Sequence, residues 1–250
     1  MSYHMQINRY RNYIFDFYGT LCEIWTNEKK RFLWDNLAVF MKQHGAFYHA
    51  RELQKKYIEF CRQEDLRLKK EKKHHFIEID LAEVFRMLYE FKGVKADKAL
   101  ICETEVVFRL LSMDEMKMFR NASELLKQLR DDGKKVYLLS NAQAAFTEYE
   151  IRQLGIKELF DGICYSSDAG YRKPSERFFA SLFDSYGLNK EESVMIGNDA
   201  FTDIGGAYGY GLDSIYIHTV QSGKRPKELP ENCQEYESLT EILIDYREHK

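Results

Sequence analysis

Three carboxylates, a hydroxyl and an ammonium stand in four short, widely separated motifs. Asp16 opens the run Asp16-Phe17-Tyr18-Gly19-Thr20-Leu21, Ser140-Asn141 closes the run KVYLLSN, Lys173 precedes Pro174, and Asp199 and Asp203 fall within GNDAFTD. These residue types suit phosphoryl transfer. The migrating group spreads negative charge over three equatorial oxygens, so its site must supply positive charge, hydrogen-bond donors and an in-line nucleophile. Asp16 is the candidate nucleophile, as carboxylates are wherever an aspartyl-phosphate forms. A carboxylate repels a phosphate, and a hard divalent cation held by carboxylates, carbonyls and water relieves that repulsion, so Mg²⁺ is the expected cofactor. Lys173 would offset further charge, and Ser140 would donate to a phosphoryl oxygen.

These motifs meet only if the fold gathers them. Residues 10–16 (YRNYIFD) read as a short strand ending in Asp16, with Gly19 permitting a tight turn. From Asn121 the pattern alternates: a helix over 122–132 closed by Gly133, a strand over 135–140, a helix over 143–154 before Gly155, and a strand over 162–167. A helix over 175–186 before Gly187, a strand over 193–197, a helix to about 208, a strand over 214–218 and a final helix near 237–247 complete it. Strands separated by helices of this length require right-handed crossovers, so the expected fold class is α/β, a parallel Rossmann-like sheet with helices on both faces. In such sheets ligands bind beyond the carboxyl ends of the strands, where strand order reverses, and every candidate residue lies at such an end.

The stretch between the first strand and Asn121 has another character. Residues 26–44, 49–73, 80–92 and 97–112 read as amphipathic helices, with Gly45 and Gly93 as C′ residues and Asp80 with Glu83 as a capping box. No strand is expected there. The expected organisation is therefore an α/β core formed by 1–21 and 116–250, interrupted by an all-helical cap over 22–115.

Composition narrows the classes further. The 250 residues carry 37 Lys and Arg against 40 Asp and Glu, a net charge of −3, so nothing calls for a nucleic-acid partner. With 44% hydrophobic residues and only 3 prolines and 14 glycines, collagen-like and disordered chains are excluded. The opening MSYHMQINRYRNY has no apolar signal core and no run of 18 apolar residues occurs, so the expectation is a cytoplasmic protein with no membrane partner. Cys22, Cys61, Cys102, Cys164 and Cys233 are odd in number and lie far apart, which fits buried or incidental thiols.

With its motifs in this order and a helical insert directly after the first, the chain resembles the haloacid dehalogenase-like (HAD) hydrolase superfamily. The resemblance spans essentially the whole chain and rests on Asp16 to Leu21, Leu139-Ser140-Asn141, Lys173-Pro174, and Gly197-Asn198-Asp199 with Asp203. It implies a small-molecule phosphatase with Asp16 as nucleophile and Thr20, Ser140, Asn141 and Lys173 on the substrate phosphate. It also implies Mg²⁺ on Asp16, the Tyr18 backbone carbonyl and Asp199, with Asp203 as a further ligand or as the partner of Lys173. The partner would be a small phosphorylated metabolite.

Two residues depart from the family pattern. Tyr18 stands where the family's phosphatases carry a second Asp that protonates the leaving group, and Asn198 aligns with an acid in many relatives. Tyr can donate a proton but is a poor base near neutrality. Tyr18 as the catalytic acid–base group therefore implies slow turnover, a leaving group that needs no proton, or a cap residue in its place. His74 or His75, in the basic cap run RLKKEKKHH, could be that residue, although the run reads first as a solvated helix face. The superfamily's metal-independent 2-haloacid dehalogenases also resemble this chain at Tyr18. That reading would form an ester on Asp16 and would need a cap arginine, for which Arg31, Arg51 and Arg62 are available. A third reading is a degenerate, non-catalytic member that binds a phosphorylated ligand. Trp25, Trp34, Tyr208 and Tyr210 read as packing residues.

Overall fold

A computed structural model describes residues 5–249; the opening MSYH, part of the stretch read for a leader, lies outside the described residues. Six parallel strands form the central sheet: β1 (Asn12–Phe15), β4 (Lys135–Ser140), β5 (Gly162–Tyr165), β6 (Ser193–Gly197), β7 (Asp213–Ile217) and β8 (Cys233–Tyr236). Their order across the sheet is β5-β4-β1-β6-β7-β8. Alternate residues of each central strand enter opposite clusters. Tyr13, Phe15, Val136, Leu138, Val194 and Ile196 pack with α5 (Ala122–Asp131) and α10 (Leu239–Glu248). Ile14, Tyr137, Leu139 and Met195 pack with α8 (Glu176–Tyr186) and α9 (Gly206–Tyr210) on the other face. Burial on both faces explains why these strands read as unbroken apolar runs. Two further helices, α6 (Ala144–Gln153) and the single turn α7 (Ser166–Ala169), complete the βα alternation.

The insert holds α1 (Arg31–Gln43), α2 (Ala50–Lys72), α3 (Leu81–Phe91) and α4 (Lys98–Ser112). Leu33, Leu37 and Met41 follow the i,i+4 spacing of one helix face, and they meet Tyr57, Phe85, Leu88 and Phe108 in a cluster of their own. Each such side chain, fully buried, contributes about 1.5–3 kcal/mol. Gly45 and Gly93 take the positive φ of C′ residues.

Three expectations need correction. The block expected to hold no strand begins and ends in one: β2 (Cys22–Thr26) pairs antiparallel with β3 (Met113–Met118), so both chain crossings into the insert form one ribbon. The insert is therefore not all-helical at its root. Its two strands are separated by four helices and are half exposed, so neither local periodicity nor a hairpin turn announces them. The edge strand β8 also went unread, being four residues long with only Tyr236 buried. At Asp80 only half of the capping box forms: its carboxylate accepts from Ala82 N–H, while the Glu83 carboxylate pairs with Arg86. Among the described residues no helix is long and apolar enough to cross a membrane.

Glu105 lies on the inward face of α4 and is buried. Burial, and then the charge of Asp80, push its carboxyl up to about 7. The folded state thus keeps a proton that an unfolded Glu, with a pKa of about 4.3, has already released. Stability must fall as pH rises through this window. Glu105→Gln is expected to raise the thermal unfolding midpoint by a few degrees at pH 8 and to leave it unchanged at pH 4; equal midpoints at pH 8 would contradict this account.

Candidate active site

Strand order reverses at β1: the chain steps outward through β4 and β5, then returns to the other side of β1 with β6. The carboxyl ends of β1, β4 and β6 therefore converge, and the loop after β5 closes over them. Asp16 follows β1 directly, and its N–H donates to Ile196 O at 2.9 Å. Lys173 is 1% exposed; its Nζ lies 2.7 Å from Asp16 Oδ1 and 2.7 Å from Asp203 Oδ1, and donates to Leu139 O at 2.7 Å. An ammonium buried this far is tolerable only with its donors engaged. Burial opposes its charge, but Asp16 and Asp203 outweigh burial and raise its pKa. Burial, with the Asp16 charge beside it, pushes the Asp203 carboxyl up to about 6 against the pull of Lys173.

The remaining motif residues hold this centre in place. Asn141 Oδ1 accepts from Lys173 N–H at 2.7 Å and its Nδ2 donates to Lys173 O at 3.2 Å, so its amide fixes the lysine's backbone. Thr20 Oγ1 lies 3.2 Å from both Asp16 Oδ2 and Asn198 Oδ1. Asp199 Oδ1 caps the π-helical turn at 200–205 by accepting from Phe201 and Thr202 N–H. Asp203 Oδ2 accepts from Asp199 N–H at 3.0 Å, while its Oδ1 is ion-paired with Lys173 but accepts no hydrogen bond. Ser140 Oγ is buried and has no partner, which leaves a hydroxyl free for a ligand oxygen.

A cleft of about 220 Å³ opens at this centre, lined by Asp16, Tyr18, Ser140, Asn141, Lys173, Asn198, Asp199, Thr202, Asp203 and Gln221. Larger hollows exist, including one of about 490 Å³ on the insert between Lys29, Arg31 and Arg51, but none gathers these groups. Gly19 takes φ +88°, and a Cβ there would stand 2.5 Å from Asn198 Nδ2. Gly19→Ala should therefore cost about 1–2 kcal/mol in backbone strain and displace Asn198. Urea unfolding measures the first effect, and an unchanged midpoint would refute it.

Tyr18 is placed unlike the others. Its hydroxyl donates to Glu150 and lies 2.9 Å from Thr147 Oγ1, and burial raises its pKa well above the usual value. Arg109, from α4, donates to Glu150 Oε1 at 2.6 Å, and its guanidinium lies 5.1 Å from the centre of the Tyr18 ring. Arg109, Glu150 and Gln221 were not foreseen. The first two stand 41 residues apart with no motif around either. Gln221 lines the cleft while its side-chain amide pairs with both backbone groups of Ile24 in β2.

His74, His75, Arg31, Arg51 and Arg62 of the insert lie elsewhere. His74 accepts from Phe76 N–H through Nδ1 and faces Ser175 Oγ through Nε2, whereas His75 is exposed. Arg31 pairs with Asp35, Arg31 and Arg51 line the outer hollow, and Arg62 is exposed. Trp34 packs on Tyr57 and Phe108, and Tyr210 on Phe179, but Trp25 and Tyr208 are exposed.

The profile of one protein family, described as haloacid dehalogenase-like hydrolase, matches residues 10–209, from β1 through the Asp203 turn into α9. The chain belongs to that family. Among this hydrolase's relatives, a glyceraldehyde 3-phosphate phosphatase of Methanothermobacter thermautotrophicus is 30% identical over 104 residues, which is 42% of this chain and 46% of that protein. That match thus spans less than half of the relative's length. A 5'-nucleotidase of Pseudomonas aeruginosa is 28% identical over 172 residues, 68% of this chain and 77% of that one. In fold, the hydrolase is similar to the solved structure of a 2-haloacid dehalogenase from Pseudomonas syringae, with a TM-score of 0.65 at 17% identity over 96% of this chain and 100% of that one.

Proposed function

We propose that this hydrolase is a Mg²⁺-dependent phosphatase of small phosphorylated metabolites, working through an aspartyl-phosphate on Asp16. The observation that carries the reading is the charge of the cleft, where Asp16, Asp199 and Asp203 face Lys173 as the one cation among its lining residues. A phosphate enters a site of that sign only when a further positive charge is present. The donors are all hard oxygens, which suits Mg²⁺. Among the described residues no three His, Cys, Asp or Glu side chains cluster tightly enough to hold a metal by themselves. That too is compatible with an ion bound by one or two carboxylates, a carbonyl and water. Asp16, the Tyr18 carbonyl and Asp199 would hold it, and Asp203 serves Lys173. When bound, the ion supplies positive charge between Asp16 and the phosphate.

The chain's own residues do the rest. Lys173 fixes Asp16 through Oδ1, leaving Oδ2, held only by the long Thr20 contact, to attack phosphorus. Ser140 donates its unpartnered hydroxyl to a phosphoryl oxygen, and Lys173 offsets charge on the same group. Residues 22–115 act as the cap. Its α2–α3 connection pairs with the segment leading to Lys173, through Arg172 N–H to Phe76 O at 3.1 Å, and Phe76 meets Phe201 at the cleft's edge.

A 2-haloacid dehalogenase would also tolerate Tyr18, since halide leaves without a proton. Its substrate carboxylate, however, needs a cation, and none of Arg31, Arg51 and Arg62 lines the cleft, while Arg109 is taken by Glu150. The test is release of inorganic phosphate from a panel of phosphomonoesters and acyl phosphates with Mg²⁺ and with EDTA. Metal-dependent release is expected. Halide release from 2-haloacids in EDTA, with no phosphate released from any compound, would overturn the proposal, and phosphate binding without turnover would favour a non-catalytic phospholigand-binding role.

A further inference from the structure

We infer that the bond broken on Asp16 joins phosphorus to a weakly basic leaving group, and that the substrate is an acyl phosphate rather than an alkyl phosphomonoester. The inference rests on the phosphatase reading above and deepens it. It follows from where the protons of the cleft are committed.

Five ionisable side chains line the cleft: Asp16, Tyr18, Lys173, Asp199 and Asp203. Asp16 is the attacking group. Lys173 donates to Asp16 Oδ1 and Leu139 O and is ion-paired with Asp203 Oδ1 at 2.7 Å, so its ammonium is held between two carboxylates and a carbonyl. Asp203 accepts from Asp199 N–H on its other oxygen. Asp199 accepts two backbone N–H groups through Oδ1 and is the carboxylate assigned to the cation above. Tyr18 gives its hydrogen to Glu150, which is itself paired with Arg109. Groups from the insert are also occupied: Glu78 accepts from Ser166 Oγ at 2.9 Å, and His74 uses one nitrogen on Phe76 N–H and turns the other to Ser175. Among the described residues, the ionisable side chains lining the cleft are thus each tied to the nucleophile, the cation or a neighbouring group, and the free Ser140 hydroxyl is no acid near neutrality.

A positioned acid contributes about 10²–10⁴ in rate where the leaving group is an alkoxide. A carboxylate, whose conjugate acid has a pKa of about 4, departs without one. The step then balances with no acid. Asp16 Oδ2 forms a bond to phosphorus as the bond from phosphorus to the acyl oxygen breaks, and the electron pair leaves on the carboxylate. Water next attacks the phosphorus of the aspartyl-phosphate, restoring the Asp16 carboxylate and giving dihydrogen phosphate, which passes a proton to solvent. Tyr18, its hydrogen given to Glu150, supplies no base for that water, so the second step is slow, common to all substrates, and leaves the phosphorylated enzyme to accumulate.

The experiment measures kcat/KM with Mg²⁺ for acetyl phosphate, for aryl phosphates of graded phenol pKa, and for glycerol phosphate. Acetyl phosphate is expected to exceed glycerol phosphate by at least about 100-fold, the aryl series to rise steadily as phenol pKa falls, and rapid mixing to reveal a burst stoichiometric with enzyme. Equal kcat/KM for acyl and alkyl phosphates, or a flat aryl series, overturns this inference while leaving the phosphatase reading intact. No turnover across the whole set overturns both.

Discussion

Asp16→Asn is expected to lower phosphate release by about 10⁴–10⁶-fold, the scale on which removing a covalent nucleophile acts, without unfolding the protein. The two parts of this expectation have separate causes. The amide is nearly the same size as the carboxylate, keeps an oxygen for Lys173 or Thr20, and remains beside the Ile196 carbonyl that fixes its backbone. It also removes one of two anions that face each other across the ammonium, which eases the burial of Asp203. The unfolding midpoint should therefore stay close to that of the parent while aspartyl-phosphate, detected by mass spectrometry after acid quench, disappears. A variant that keeps even a tenth of parental turnover would remove Asp16 from the nucleophile's role.

Lys173→Met should damage both activity and stability. Methionine fills the volume, but Asp16 and Asp203 are then left as unpaired carboxylates, 7% and 1% exposed. Breaking a buried ion pair by removing one partner costs about 3–5 kcal/mol. That loss should shrink in acid, because an acid whose pKa is raised in the folded state is stabilised in its protonated form, and burial already raises the Asp203 carboxyl with the lysine present. Urea unfolding of parent and variant at pH 8 and pH 5 measures this. The double variant Lys173→Met/Asp203→Asn should regain stability at pH 8 but not turnover. A stability gap that is the same at both pH values would show that the two carboxylates are not what the lysine balances.

The residues at the strand ends were legible because a parallel sheet restricts where side chains can meet. KVYLLS and SVMIG are buried on both faces, so their apolar runs are unbroken; the first ends in Ser140 and the second leads into Asn198 and Asp199, polar residues that have to lie at the sheet's carboxyl edge. What those polar residues bond to was not legible. Asn141, expected on the phosphate, lines the cleft and also holds the Lys173 backbone, and Tyr18 points its hydroxyl at α6. The direction of Tyr18 is set by Arg109, Thr147 and Glu150, which only the docking of α4 on α6 brings near. The ribbon of β2 and β3 escaped for the same reason. Glu23 opposes Lys117, but four helices intervene, so nothing local marks the pairing.

The central place of β1 also sets an order in time. Asn12 pairs with Lys135 on one side and Ser193 on the other, so neither edge of this strand is covered until the ribosome has passed those positions. The cluster of α1 to α4 draws almost wholly on one contiguous stretch and can close much earlier. Contacts distant in sequence form late, and domains of a growing chain assemble as they emerge. The insert can therefore be complete while the strand that carries Asp16 is still an uncovered apolar segment, and the charged centre of the site waits for the arrival of β6.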